Sequence, residues 1–272
     1  MRTLVPVLLI GCSNAQSAPP TCFQDNAWTQ WAPGLDFGVF QHKVATPVGD
    51  GRIRVLRVDP GRWRTDLHTA RTIHDTRKAA DWADHTGAVA ITNAGMFATD
   101  MTTHVGSLTI NGHERGLPNT TYHSVATFES TRGGPHFDIV DTDRQKVEPD
   151  HWGYTLQNLR LIRSPGESRW ANRTKMWSEA ALAKDAEGRA WWVFTRSPWT
   201  MRDLNAALIG LGAVAAQHLE GGPEAQLHVS AGGCSFSHFG SYETGFVEND
   251  GNDFAWRIPN VLALSPRVPA AN

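Results

Sequence analysis

Apolar positions in this chain fall in short alternating runs rather than in long helical stripes. Phe37-Gly-Val-Phe40 and Ile53-Arg-Val-Leu-Arg-Val58 are two such runs within residues 35–67, and residues 63–67 form another beyond the turn signal Asp59-Pro-Gly61. That arrangement predicts a strand, a turn and a return strand, a hairpin over 53–67. Residues 76–85 read as a modest helix ending at Gly87, followed at once by a short buried strand over 88–92 and the polar loop Asn93-Ala-Gly-Met-Phe97. Strands are also expected at 105–110 and 122–128, with Asn111-Gly112 as the turn after the first. The second half repeats this local plan. A buried strand over 191–195 precedes a helix capped by Thr200 and Asp203, with Leu204, Ala207, Leu208 and Leu211 on one face and Gly212 at its end. A strand over 213–219 and the loop Glu220-Gly-Gly-Pro-Glu224 follow. Strands in series, with two or three helices and no regular βα alternation, predict an α+β fold: one domain with a mixed, largely antiparallel sheet flanked by a few helices.

Composition narrows the partners. The 272 residues are 40% hydrophobic and 19% charged, the balance of a folded chain, and the formal charge of −2 argues against nucleic acid, which needs a basic surface. At the N-terminus, Arg2 precedes an apolar run over 3–10, far too short to span a membrane and shaped like an export signal. Leu9-Ile10-Gly11-Cys12 resembles a bacterial lipobox, which predicts a lipid on Cys12 as the protein's membrane contact and a polar tether to residue 21; a plain secretory signal is the alternative. The folded domain is then 22–272, in the periplasm, at the cell surface or secreted. Cys22 and Cys234 remain, an even pair outside the cytoplasm, and are expected to form a disulfide, with two separate buried thiols as the other reading.

A polar, glycine-rich loop directly after a buried strand lets a substrate approach the backbone while the strand holds the loop still. Loops 93–97 and 220–224 both fit, although glycine alone is equally well explained by tight turns. Their residues carry a resemblance. Asn93-Ala-Gly-Met-Phe97 resembles the Asn-x-Gly-aromatic-Phe signature of the phosphodiester glycosidase family. Val105-Gly-Ser-Leu-Thr-Ile-Asn-Gly112 is similar to that family's Gly-x-x-Ile-x-x-Gly hairpin, and Leu211-Gly-Ala-Val-Ala-Ala-Gln-His-Leu-Glu-Gly-Gly222 to its Leu-Gly…Leu-Asp-Gly-Gly segment. The likeness extends over about residues 35–265. It implies a hydrolase acting outside the cytoplasm on a sugar phosphodiester or related envelope glycan, with a carbohydrate or sugar phosphate as substrate and no cofactor. The family usually has aspartate where Glu220 stands and small hydroxylated residues where this chain has Pro223-Glu224-Ala225, a change of both shape and charge.

Glycoside hydrolysis commonly uses two carboxylates, while a departing phosphate asks more for hydrogen-bond donors and positive charge. Glu220 is therefore the first candidate for the essential acid, Glu224 and Glu179 the next, and Glu243, between glycines, the fourth. Gly221, Gly222, Asn93 and Gly95 offer the loops' backbone, and Arg163 and Arg173 are the candidate phosphate-binding cations, surface ion pairs being their alternative. Asn93, Gly95, Glu220 and Glu224 are expected to line one pocket, on neighbouring strands of one sheet. His218, beside Glu220, suits acid–base work or ligation. The twelve histidines are scattered without metal-ligand spacing, so no metal is expected. Most of the eleven tryptophans should be core, with room among them for sugar-stacking platforms. No nucleophile elbow, Walker loop or dinucleotide fingerprint occurs. A silent glycan-binding lipoprotein is the rival function.

Overall fold

A computed structural model of the chain describes residues 20–171 and 174–268; the expected signal, Cys12 and Arg173 lie outside the described residues. Three sheets share the core. The largest has seven antiparallel strands in the order Ala27–Ala32, Leu35–Gln41, Arg52–Val58, Ala190–Thr200, Met176–Asp185, Ala213–Gly221 and Arg160–Ile162. A second sheet runs Cys234–Phe239, Gln226–Ala231, Ala90–Asn93, Asn260–Pro266 and Trp63–Thr69. The third is built around Ser124–Ser130 and Trp152–Asn158 and ends in a small hairpin of Leu108–Ile110 with His113–Glu114. One buried cluster joins all three, through Leu56, Trp192 and Phe194 of the first, Leu227 and Leu262 of the second, and Phe128 and Leu156 of the third. The fold is α+β and rich in antiparallel strands.

The helices end where their caps dictate. Ala79–Thr86 stops at Gly87, whose left-handed backbone returns its N–H to the carbonyl of Ala83. Met201–Leu211 starts with the Asp203 N–H donating to the Thr200 hydroxyl and packs Leu204 and Leu208 on the first sheet. Asn111 and Gly112 both take positive φ, the geometry of a two-residue hairpin turn.

The predicted hairpin over 53–67 is not formed. The turn is present, with the Asp59 carbonyl accepting the Trp63 N–H at 3.0 Å. Beyond it, however, Trp63–Thr69 leaves the first sheet and pairs with Asn260–Pro266, while Arg52–Val58 pairs backwards with Leu35–Gln41. The turn is a corner between layers, which lets Trp63 and Leu67 bury their side chains in the shared core. Cys22 and Cys234 are bridged, their Cα atoms 5.4 Å apart, tying the start of the domain to a late hairpin 212 residues on. The described residues contain no helix long and apolar enough to cross a membrane.

Candidate active site

The end of the strand Ala213–Gly221 is shaped by an irregular pairing. Against Met176–Asp185, Gly221 faces Glu179 but His218 faces Ala181, so one extra residue is accommodated on the strand between them. The bulge leaves Glu179 and His218 side by side: His218 Nδ1 lies 2.6 Å from Glu179 Oε1, and the Trp177 indole N–H donates to Glu179 Oε2 at 2.5 Å. Glu179 is fully buried and His218 nearly so. Burial lowers the His218 pKa, but the Glu179 carboxylate against it, with Glu220 nearby, outweighs this and raises it above the usual histidine value. With Nδ1 taken by Glu179, Nε2 is the ring nitrogen left to meet a substrate.

Glu220 comes next, half-buried, in a cavity of about 360 Å³ that it shares with His218, Trp177, Trp170, Lys175 and Glu243. Burial pushes its carboxyl up to about 8, against the pull of the His218 cation and with help from the charges of Glu224 and Glu179. Glu224 is pushed up to about 7, again by burial first, with Glu243 adding to the rise. These last two converge over Gly222: a side chain there would begin 3.1 Å from Glu243 Oε2 and 3.5 Å from Glu224 Oε2. The result is one cavity holding a carboxyl pushed up to about 8, a histidine paired to a buried glutamate and the exposed side chain of Glu243. Such a set can give a proton to one atom and take one from another.

The first loop braces the second. Asn93 is buried; its amide donates to the Glu220 carbonyl at 3.3 Å and its Oδ1 accepts the Gln226 N–H at 3.0 Å. Gln226 in turn accepts the Ala79 N–H at the start of a helix and donates to the Trp256 carbonyl. Gly95 holds φ at +71°, and a Cβ there would lie 2.3 Å from the His104 ring. That loop reaches the cavity only at Met96. Among the described residues no group of three or more histidine, cysteine, aspartate or glutamate side chains is placed to hold a metal.

Over residues 86–265, well over half of its length, the chain matches the model of the phosphodiester glycosidase family. The chain belongs to the phosphodiester glycosidase family. Solved structures share its fold, two of them as follows. A hypothetical protein from Synechocystis superposes with a TM-score of 0.62 at 13% identity, over 88% of this chain and 63% of that one, so this chain spans less than two thirds of that protein. The zebrafish N-acetylglucosamine-1-phosphodiester alpha-N-acetylglucosaminidase catalytic domain, auto-inhibited by its pro-peptide, gives a TM-score of 0.62 at 12% identity, over 92% of this chain and 87% of that one. At these identities the likeness is one of fold. No curated protein matches the chain in sequence.

Within the family domain, the two glycine loops meet, but not on neighbouring strands of one sheet: Ala90–Asn93 and Ala213–Gly221 belong to different sheets, and Asn93 spans the gap. Glu220, Gly221, His218 and Glu243 line the cavity; Glu224 and Gly222 are not among its lining residues, and Glu224 comes toward Glu243 over Gly222. Glu179 supports the cavity from beneath, held by two partners rather than standing as an isolated acid. Arg163 is elsewhere: its guanidinium is taken up by Asp141 and Asp143 at 2.7 and 2.6 Å, beside Arg160 on the same carboxylates. Sequence reading missed Trp170, Trp177, Lys175, Leu159 and Thr244 as cavity residues. Only the acid Glu179 and the general expectation of sugar-stacking tryptophans pointed their way, because the contacts that set Trp170 and Trp177 against His218, and Trp177 against Gly221, are long-range ones.

Proposed function

We propose that this domain is a hydrolase working outside the cytoplasm, which cleaves the bond between a sugar and a phosphodiester, or a related envelope glycan linkage. The observation that carries the reading is Glu220, a carboxyl with its pKa near 8 in an open cavity beside the Glu179–His218 pair. In this reading Glu220 hands its proton to the bridging oxygen as the sugar carbon–oxygen bond breaks, and the His218 imidazolium faces the charge growing on the phosphate. Water adds to the anomeric carbon and loses its proton to Glu243 or Glu224, which returns it to the site for the next cycle. Glu179 fixes the orientation of the ring and stabilises its charged form, the part a buried carboxylate plays beneath a catalytic histidine. Family membership and the fold shared with the zebrafish enzyme support the substrate class. The disulfide supports an oxidising compartment, and the lipobox-like Leu9-Ile10-Gly11-Cys12 supports attachment there through Cys12.

Pro223-Glu224, in place of small hydroxylated residues, favours a second reading in which the cavity binds glycan without turning it over. A turnover screen with α- and β-linked sugar phosphodiesters and aryl glycosides separates the two. Hydrolysis abolished in Glu220→Gln is the expected result; saturable sugar binding with no hydrolysis of any member would establish the binding module instead.

A further inference from the structure

Four of the eleven tryptophans, Trp82, Trp191, Trp192 and Trp199, are fully buried in the core. Trp170 and Trp177 differ. Both are half-buried and line the cavity, with ring centroids 5.7 Å apart edge to face, and 6.3 and 6.2 Å from the His218 ring. An indole on a cavity wall offers a broad, flat apolar surface next to polar groups. A pyranose ring matches that surface with its C–H face while its hydroxyls reach the carboxyls; a phosphate group has no such face.

Trp177 has a second set of contacts. Its N–H is given to Glu179 Oε2, whose other oxygen holds His218. Its ring also presses on the second loop: a Cβ at Gly221 would lie 2.2 Å from Trp177 Cδ1 and 2.8 Å from Nε1. Gly221 has an ordinary φ of −105°, so the glycine there is required by the closeness of the indole and of the Ser178 carbonyl, which a Cβ would meet at 2.8 Å, and not by backbone conformation.

We propose that Trp170 and Trp177 form the subsite that holds the substrate's sugar ring, and that Trp177 is also a positioning residue, fixing through its indole N–H the carboxylate that orients His218. For the reaction this rests on the phosphodiester glycosidase reading; for the ring it binds it does not, and the experiment keeps the two apart. Methyl glycosides of glucose, galactose, mannose and N-acetylglucosamine, with inorganic phosphate as the control, are titrated into the full domain by calorimetry and saturation-transfer NMR. Any phosphodiester turned over in the screen supplies kcat and KM.

Trp170→Ala should weaken sugar binding about tenfold or more, leave phosphate binding unchanged and raise KM with little change in kcat, while Trp170→Phe restores most of the affinity. Trp177→Phe keeps a ring and loses the N–H. It should hold sugar affinity within about twofold, lower kcat about tenfold, and move the NMR signals of the His218 ring nitrogens. Trp177→Ala should do both kinds of damage. Sugar affinity untouched by Trp170→Ala, or no sugar bound by the wild type, overturns the subsite. Wild-type kcat together with unmoved His218 signals in Trp177→Phe overturns the positioning role. Binding that depends on Trp170 without any turnover removes the proposed reaction and leaves the subsite standing.

Discussion

The two glycine loops look alike in sequence and differ in what surrounds them. Each lies at the end of a buried strand, and each has a histidine close by. Loop 93–97 is closed in: Asn93 and Gly95 are buried, and His104 beneath them has its ring against Gly95 and a long, 3.4 Å contact to the Gln157 carbonyl. With no carboxylate in contact, burial pushes the His104 pKa down to about 4. Loop 220–224 opens on a cavity, and its histidine rests on a buried carboxylate that turns the shift upward. Burial is common to both, and the partner decides. A lone buried histidine stays neutral and packs, whereas one seated on a carboxylate is kept ready to carry charge.

The comparison predicts unequal damage from equal changes. The largest effect belongs to the open loop: Glu220→Gln should cut turnover at least about a hundredfold while leaving the domain folded. Asn93→Ala should act mainly on stability. It leaves the buried Gln226 N–H without its acceptor, so urea unfolding should report a loss of about 1–3 kcal/mol, with any drop in activity following from a slackened Glu220 backbone. Wild-type activity and reduced stability in Glu220→Gln, with the reverse in Asn93→Ala, would invert the assignment.

Opposite pH slopes sharpen it further. Glu220 and Glu224 have raised pKa values, so the native state keeps protons that the unfolded chain has lost. The stability tied to them is present below the ordinary glutamate value of about 4.5 and is lost as pH rises toward about 7 to 8. Melting temperatures across that window should fall with pH, and Glu220→Gln should flatten the fall and melt above the wild type on the alkaline side. His104 has the contrary sign: its lowered pKa means the unfolded chain binds the proton first, so its share of stability is lost as pH falls from about 6.5 toward about 4. His104→Gln should remove only that acid-side slope, the smallest of these effects, and leave the fall of melting temperature on the alkaline side as it was.

Much of the local structure could be read from residues whose preferences act over a few positions. Asn111-Gly112, the Thr200 cap and the glycines ending Ala79–Thr86 and Met201–Leu211 need no distant partner to take their conformations. The two loops were legible for the same reason, as polar residues stranded after buried strands. What could not be read is set by pairing across long separations. The corner at 59–63 sends one strand to another sheet, and nothing within the turn says so. The bulge that seats Glu179 under His218 depends on register between strands nearly forty residues apart, as does the indole against Gly221. Arg163 looked available because the carboxylates that claim it, Asp141 and Asp143, lie on another part of the chain.

The central claim is that the bond broken lies on the sugar side of the phosphodiester, with Glu220 supplying the proton. Hydrolysis in water enriched in oxygen-18 tests it directly. Cleavage of the glycosidic carbon–oxygen bond puts the heavy oxygen on the anomeric carbon of the released sugar and leaves the phosphate unlabelled, at a rate that collapses in Glu220→Gln. Label in the phosphate, or sugar-side cleavage at the same rate in Glu220→Gln, would contradict the account.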